Sequence, residues 1–320
     1  VRNLDGGMTE EERRIVASRA ILGEWLGGSG GGWQDSGGVW PGAKLIEGCL
    51  SNGQIANPLP PSRNVHSKPE TVQGPESSVQ SPIINSRGAL LPRHTRLDGN
   101  YIPNESIQAL EDSLILIHGG MAANVGPILE MVTERYLLRS KLEWQARADS
   151  LRSTDRIMDN LRSGSIREMG TATTQHFFGP LKDVIPWSSN AFTERMIREV
   201  SEALESQLGN DSQVADGSRI GTARLGEVFW GFWMLGGMSG GGMGLIINPA
   251  FRESAKPIIG DILARLKSDY ENALPFAMNP VIYDFKINRD GTWGLITDGA
   301  VEEKETIVPV FLREYLVFSM

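Results

Sequence analysis

The sequence has one cysteine, four scattered histidines and no long apolar run. A single cysteine, Cys49, excludes an internal disulfide and a cysteine-built metal cluster, and it is typical of a reducing compartment. The histidines show no spacing that indicates zinc. The longest apolar run, at 228–235, is far shorter than the roughly 20 residues that span a bilayer. We therefore expect a cytoplasmic protein with no membrane partner.

Basic residues are also fewer than acidic ones. Lys and Arg number 31 against 39 Asp and Glu, which leaves a net charge of −8. Proteins that bind a nucleic-acid backbone usually present a basic face, so we expect no nucleic-acid partner. The 320 residues are enough for two domains or one large one. Because the chain begins with Val1 rather than Met, we expect it to be part of a longer protein.

The apolar pattern predicts a mixed α/β chain in which single helices separate strands. Thr9 and Glu12 have the spacing of a capping box that opens the first helix. A buried strand is expected at 114–118, where an apolar run meets two glycines. The pattern predicts further strands at 44–46, 245–247, 281–285 and 295–297, and helices at 9–26, 127–161, 192–208, 225–235 and 250–272.

The middle of the first half has a different composition. Eight prolines interrupt residues 51–108 without a sustained period, which predicts an irregular segment with short strands such as 83–84 and 89–91. We therefore divide the chain into three parts, 1–50, 51–108 and 109–320.

Glycines are abundant in two places, and the first surrounds a carboxylate. Seven glycines flank Asp35 within 27–38, an entropically costly arrangement unless a ligand approaches the backbone closely. Glu24 lies eleven residues earlier, at the end of the preceding helix. Two such carboxylates are suited to hold Mg²⁺ and to orient a hydroxyl nucleophile. The alternative is a surface glutamate and a turn-forming aspartate.

The second glycine-rich segment, 236–244, follows the predicted helix at 225–235 and precedes a strand. Its backbone N–H groups are suited to an anion-binding nest. The alternative is a tight hairpin whose glycines serve packing alone. Neither the Walker A motif nor the dinucleotide fingerprint fits this segment.

Both segments resemble motifs of a known family. The first, Gly30-Gly31-Gly32-Trp33-Gln34-Asp35 followed by Pro41-Gly42-x-Lys44, resembles the Gly-Gly-Gly-Trp-Gln-Asp-Gln segment of L-fucokinases and related sugar-1-kinases of the GHMP superfamily. The second, 237–242, resembles the third motif of that superfamily, a glycine loop near the phosphates. The strand at 114–118 with Gly119, and the segment 124–129, resemble the family's intervening strand and helix start.

The resemblance implies a fold and a reaction. It implies a partial GHMP kinase fold, with the end of the N-terminal S5-like lobe in 1–50 and a ferredoxin-like C-terminal lobe with extra helices in 109–320. It implies an ATP-dependent kinase that phosphorylates the anomeric hydroxyl of fucose or a related sugar. ATP and Mg²⁺ would be its cofactors.

The resemblance also implies residue roles. Asp35 would be the catalytic base or orienting carboxylate, and Glu24 would bind Mg²⁺. The substrate-binding residues would be Trp33 and Gln34, and Trp33 is suited either to stack on the sugar or to plug the loop onto the core. The ATP phosphates would meet Gly237, Ser239, Gly240, Gly241 and Gly242.

Two departures from the family pattern keep alternatives open. Ser36 replaces the usual Gln after the catalytic Asp, and the family's Pro-x-x-x-Gly-Leu-x-Ser-Ser-Ala phosphate loop has no counterpart. We therefore expect this chain alone to lack a complete ATP site. The alternatives are a non-catalytic sugar-binding or regulatory module and a heptose or galactose kinase. Related fucokinases are sometimes fused to a sugar-1-phosphate nucleotidyltransferase, which is a further expectation for the whole protein.

Other conspicuous residues favour structural roles. His118 ends a buried strand, where packing is the commoner use of histidine. The aromatic residues at 229–233 are expected to form the core-facing side of a helix. Arg195 and Arg198 stand among glutamates, which favours a solvated charged surface.

Overall fold

A computed structural model describes residues 6–26, 33–34, 36–50, 90–97, 99–121, 126–138, 140–209, 218–235 and 241–294. Within these ranges the chain is mixed α/β, as the sequence predicts. It has more helix than strand, and its sheets are antiparallel. No described helix is both long enough and apolar enough to cross a membrane.

The helices and strands follow one another along the whole described chain. The helices are α1 (Glu10–Leu26), α2 (Asn104–Ser113), α3 (Gly126–Leu138), α4 (Lys141–Ser163), α5 (Ile166–His176), α6 (Lys182–Val184), α7 (Ala191–Gln207) and α8 (Arg252–Tyr270). The strands are β1 (Gly6–Gly7), β2 (Lys44–Leu50), β3 (Leu90–Arg96), β4 (Leu114–His118), β5 (Arg219–Ile220), β6 (Ala223–Arg224), β7 (Phe229–Met234), β8 (Met243–Ile247), β9 (Val281–Tyr283) and β10 (Trp293–Gly294).

The central sheet has four antiparallel strands in the order β7-β8-β4-β9. Leu114 pairs with Ile246 and Ile117 with Met243 between β4 and β8. In chain order these strands and the two long helices α7 and α8 form a β-α-β-β-α-β succession, into which α3 to α6 are inserted after β4.

Both faces of this sheet are buried, since a core lies on each of them. Successive side chains of a strand point to opposite faces and therefore enter different cores. Ile115 and Ile117 face α7 and α8 in the larger core. Leu114 faces α2, α4 and α5 in a second core, which also includes Ile246 of the neighbouring strand. The run at 114–118 is continuously apolar for this reason.

The helix predicted at 225–235 is wrong: this segment contains β7. A short, fully apolar run has no period that separates a buried helix from a buried strand, and its aromatic residues favour the strand. Phe229 and Phe232 enter the larger core, whereas Trp230 and Trp233 pack on the other side. A bulge at Gly231 (φ 148°) keeps this alternation, so the predicted aromatic helix side is also wrong.

Other boundaries differ less. The capping box is confirmed, since the Glu12 carboxylate accepts the Thr9 N–H at 2.9 Å and the Thr9 hydroxyl accepts the Glu12 N–H at 3.3 Å. The single long helix predicted at 127–161 is two helices, α3 and α4. The start of α2 at Asn104 places a helix across the boundary predicted at 108/109. The strands predicted at 83–84 and 295–297 lie outside the described residues.

The first helix is fixed by the segment that follows the glycine-rich loop. Ala17 of α1 is buried in a small core with Val39 and Trp40. The strand before α1 pairs with the last described strand, with Gly6 opposite Gly294. This end of the chain is therefore joined to residues from the other end.

A buried carboxylate, which the sequence analysis did not identify, joins α7 to β7. Glu205 is 1% exposed. Its carboxylate accepts the N–H groups of Glu227, Val228 and Phe229 at 3.1, 2.9 and 2.6 Å. Three donors from consecutive residues satisfy a charge that would otherwise be costly to bury.

We expect Glu205→Gln to lower the free energy of unfolding by about 2–3 kcal/mol, because the amide nitrogen places a donor against backbone donors. Urea denaturation measures this change. Glu202→Gln on the same helix is the matched control: its exposed ion pair with Arg219 is expected to contribute less than about 1 kcal/mol. Equal losses in the two variants would contradict the role assigned to Glu205.

Candidate functional site

The structure describes five of the residues predicted to form the site. Trp33, Gln34, Glu24, Gly241 and Gly242 lie in the described ranges. The remaining predicted site residues, Asp35, Gly237, Ser239 and Gly240, lie outside them. Their positions stay predictions, and the geometry below concerns the residues on either side of each.

The residues that flank position 35 form a closed turn. The Ser36 hydroxyl donates to the Trp33 carbonyl at 2.7 Å. The Gly37 N–H approaches the carbonyls of Trp33 and Gln34 at 3.2 and 3.1 Å. A 3₁₀-helix, Ser36–Val39, follows directly. Ser36, which departs from the family pattern, holds this turn through its hydroxyl.

Trp33 and Gln34 have different environments. Gln34 is exposed. The Trp33 ring is half-buried and lies against β2, where a Cβ added at Gly48 would come within 3.5 Å of it. Of the two uses predicted for Trp33, this contact favours anchoring the loop, while the exposed part of the ring stays accessible to a ligand.

Lys44 binds the 3₁₀-helix from the start of β2. Its ammonium donates to the carbonyls of Gly37 and Trp40 at 2.9 and 3.0 Å. A cation suits this position because the last carbonyls of a helical turn lack partners. Burial lowers the pKa of Lys44 below its ordinary value. Lys44 therefore fixes the segment directly after Asp35.

A stacked pair of rings supports the same segment. The rings of Trp40 and His94 lie parallel, 4.0 Å apart at their centroids. The Trp40 indole N–H donates to the Glu10 carboxylate at 2.8 Å, which connects the pair to α1. The His94 Nε2 atom is buried and has no hydrogen-bond partner among the residues that the structure describes. Burial first, and then the charge of Lys44, lower the pKa of His94.

The predicted metal ligand, Glu24, is half-buried near the end of α1. No group of three or more His, Cys, Asp or Glu side chains that could hold a metal occurs within the described ranges. This finding does not bear on the pairing of Glu24 with Asp35, because Asp35 is not described. Magnesium commonly takes one or two protein carboxylates together with phosphate oxygens, and Glu24 suits that mode.

The second glycine-rich segment connects β7 and β8, so it is the loop of a hairpin rather than the end of a helix. At its described end, the Gly241 carbonyl accepts the Gly119 N–H at 3.1 Å, and the Gly242 carbonyl accepts the Leu235 N–H at 3.1 Å. Gly241 has a φ of 84°. The N–H groups of Gly241 and Gly242 have no acceptor among the described residues.

His118 and Gly120 shape the neighbouring strand end. The His118 Nδ1 accepts the Gly120 N–H at 2.9 Å, and the Gly120 carbonyl accepts the Ala277 N–H at 2.9 Å. Gly120 has a φ of 86°, and an added Cβ would collide with the Met278 carbonyl. These contacts agree with the structural role that the sequence favoured for His118.

The described residues of the two glycine-rich segments are bound by different parts of the chain. The segment after Asp35 is tied to the end of the described chain, where the Gly42 N–H donates to the Asn288 carbonyl at 2.6 Å. Gly241 is instead tied to the end of β4. Within the described ranges, no hydrogen bond joins 33–44 to Gly241 or Gly242. A shared site is therefore a prediction that depends on residues outside these ranges.

We expect the stability of the protein to fall at acid pH in a way that depends on His94. The lowered pKa means that the unfolded chain binds a proton near the ordinary histidine pKa of about 6.5, whereas the folded chain does not. The contribution of His94 to the free energy of unfolding is therefore complete above pH 6.5, and it is lost as the pH falls toward the pKa of His94 in the folded protein.

Denaturation of the wild type and of His94→Phe at pH 7.5 and 5.5 measures this contribution. The variant keeps a ring against Trp40 but does not titrate. Burial also lowers the pKa of His176, which contributes equally to both proteins. The variant should lose less stability between the two pH values, and an identical loss would show that His94 does not contribute.

Two adjacent glycines provide a matched test of the hairpin end. Gly241→Ala should cost about 1–3 kcal/mol, because its φ of 84° is unfavourable for alanine and the Cβ would lie 3.1 Å from Gly119. Gly242→Ala should cost less than about 0.5 kcal/mol, since its Cβ would meet only ordinary contacts. Thermal unfolding compares them, and equal effects would contradict the tight packing of Gly241.

Comparison with known proteins gives no family assignment. No protein-family model matches the chain, and no curated protein matches it. The resemblance to sugar kinases is therefore carried by the motifs themselves.

Proposed function

We propose that this chain forms part of an ATP-dependent sugar kinase of the GHMP superfamily, similar to L-fucokinases. Its reaction would transfer the γ-phosphoryl group of ATP to the anomeric hydroxyl of fucose or a related sugar, with Mg²⁺ as cofactor. The observation that carries the proposal is the hairpin end at Gly241 and Gly242. There, two consecutive backbone N–H groups that have no acceptor among the described residues stand beside residues that the motif resemblance assigns to the phosphates.

Consecutive backbone N–H groups next to a residue of positive φ are suited to bind a phosphate oxygen. The glycines allow the ligand to approach the backbone, because no Cβ stands in the way. The hairpin is held on both sides, by Leu235 and by Gly119. Such fixed donors stabilise charge that develops during phosphoryl transfer without having to reorganise.

The arrangement of the central sheet also supports the proposal. Numbered along the chain, β4, β7, β8 and β9 are the first to fourth strands of a β-α-β-β-α-β succession. In the sheet they lie in the order four, one, three, two, which is the arrangement typical of a ferredoxin-like domain. The resemblance implies such a domain for the C-terminal lobe, with added helices, and α3 to α6 are inserted here. In this proposal α1 with β2 and β3 belongs to the end of the S5-like lobe.

Asp35 would orient the sugar hydroxyl and accept its proton. Phosphoryl transfer requires little covalent chemistry from the protein, so a carboxylate in a fixed place contributes mainly through alignment. The residues on either side of position 35 are themselves held, by the Ser36 hydroxyl on the Trp33 carbonyl and by the Lys44 ammonium on the Gly37 carbonyl, which supports this role. Glu24 would hold Mg²⁺, which neutralises phosphate charge when it is bound.

We expect Asp35→Asn to reduce sugar phosphorylation by at least about a hundredfold, since general bases contribute factors of this size. The assay uses the complete protein that contains this chain, with fucose, ATP and Mg²⁺. Asp112→Asn, an exposed carboxylate on α2, is the matched control and should keep full activity. Near-normal turnover by Asp35→Asn, with an unchanged melting temperature, would overturn the assignment.

Calorimetry separates this proposal from its alternatives. Binding of both sugar and ATP·Mg²⁺ is expected for a kinase. Sugar binding without any ATP·Mg²⁺ binding would instead support a non-catalytic sugar-binding module. A heptose or galactose kinase would be recognised by its preference among the three sugars in the same activity assay.

A further inference from the structure

A shallow cavity of about 550 Å³, widely open to solvent, lies between α7, α8 and the β5–β6 hairpin. Glu199, Glu202, Ala203 and Ser206 of α7 form one wall. The other walls are the β5–β6 hairpin, through Arg219 and Arg224, and α8, through Arg265. Three arginines from three elements thus meet two glutamates around one cavity, in a protein whose net charge is −8.

The register of the hairpin places two of these arginines directly opposite each other. Arg219 pairs with Arg224 across the two strands. Like charges at directly opposed positions destabilise a strand pair. Nothing in the turn itself requires this arrangement, because the tight turn is made by Gly221 (φ 57°) and the following Thr222.

The glutamates relieve only part of this repulsion. Arg219 forms an ion pair with Glu202 at 2.9 Å, and Arg265 forms one with Glu199 at 2.8 Å. Arg224 forms no ion pair with a described residue, and its side chain stays on the cavity wall. Its backbone N–H donates to the Ser201 hydroxyl at 3.0 Å, which fixes the strand against α7. The Arg224 guanidinium therefore extends from a fixed strand into the cavity without an ion pair to any described carboxylate.

From this geometry we propose that the cavity binds a phosphate-bearing small anion between Arg219, Arg224 and Arg265. A guanidinium presents its donors in a planar fork that matches phosphate oxygens. An anion between the two opposed arginines would replace their repulsion with attraction. The glutamates would position Arg219 and Arg265 beforehand, so that less side-chain entropy is lost on binding.

This site shares no residue with the one in the proposed kinase function and does not depend on that function. The cavity residues belong to the outer side of α7 and to the hairpin, whereas Gly241 contacts the end of β4 and Phe192 at the start of α7. A protein that fails to phosphorylate sugars can still bind an anion here. A ligand at this position would act as a regulator or stabiliser rather than as a substrate.

The test is a titration with inorganic pyrophosphate in metal-free buffer at constant ionic strength, followed by calorimetry. The wild type should bind with a Kd of about 1 mM or tighter. Arg224→Gln should weaken binding roughly tenfold or more, because a charge-assisted pair of hydrogen bonds is lost. Without pyrophosphate, this variant should unfold at the same temperature as the wild type or higher, since the repulsion across the hairpin is removed.

Arg162→Gln is the matched control. Arg162 is an exposed arginine on α4, paired with Asp159 at 3.0 Å, and its loss changes the net charge equally. The control should bind within twofold of the wild type. The proposal is overturned if the wild type does not saturate by about 10 mM pyrophosphate, a concentration tenfold above the expected Kd. It is also overturned if Arg224→Gln binds like the wild type, or if Arg162→Gln weakens binding as much.

Arg265→Gln provides a second variant on a different element, in case Arg224→Gln fails to fold. Its expected loss of pyrophosphate affinity is also about tenfold. Because Arg265 projects from the long helix α8, its replacement does not disturb the hairpin. Unchanged affinity in this variant would likewise overturn the proposal.

Discussion

The burial of β4 and β8 on both faces is the constraint on which the rest of the structure depends. Each strand sends alternate side chains into two separate cores, so neither the α7–α8 layer nor the α2–α4–α5 layer can shift without disturbing the other. The close approach of α5 to β7 at Gly170 and Gly231 belongs to the same packing. Gly241, Gly242 and the end of β4 occupy fixed positions because they extend from these strands.

The two glycine-rich segments are held by different means. The hairpin end is fixed by backbone contacts with Gly119 and Leu235. The segment after Asp35 is fixed by side chains, through Lys44 and through the Trp40–His94 stack. A loop that is held by backbone contacts tolerates the replacement of side chains as long as its φ angles are preserved. A loop that is held by side chains depends on their charge and on the packing of their rings. The proposed kinase site would combine a rigid phosphate side with a sugar side that is more sensitive to pH.

Local signals allowed much of the fold to be predicted from the sequence. The Thr9 cap, the apolar strand at 114–118 and the long helices each have their cause within a few neighbouring residues. The prediction of a helix at 225–235 was wrong because an apolar run shows no helical or strand period when both of its faces are buried. The Trp40–His94 stack and the Glu205 carboxylate join residues distant in sequence, so no local pattern indicates them. The motifs indicate a candidate site, but they do not reveal how the Ser36 hydroxyl and the Lys44 ammonium bind the backbone on either side of it.

The pairing of β1 with β10 has a consequence for the order of folding. Gly6 and Gly294 meet across nearly the whole described chain, so their ladder closes a very long loop. The entropy of closing that loop has to be overcome before two short strands provide any stabilisation. Contacts of such high sequence separation form slowly, after the central sheet has already brought the intervening chain together. The support of α1, and with it the segment next to Asp35, would then be among the last parts of the molecule to reach their native arrangement.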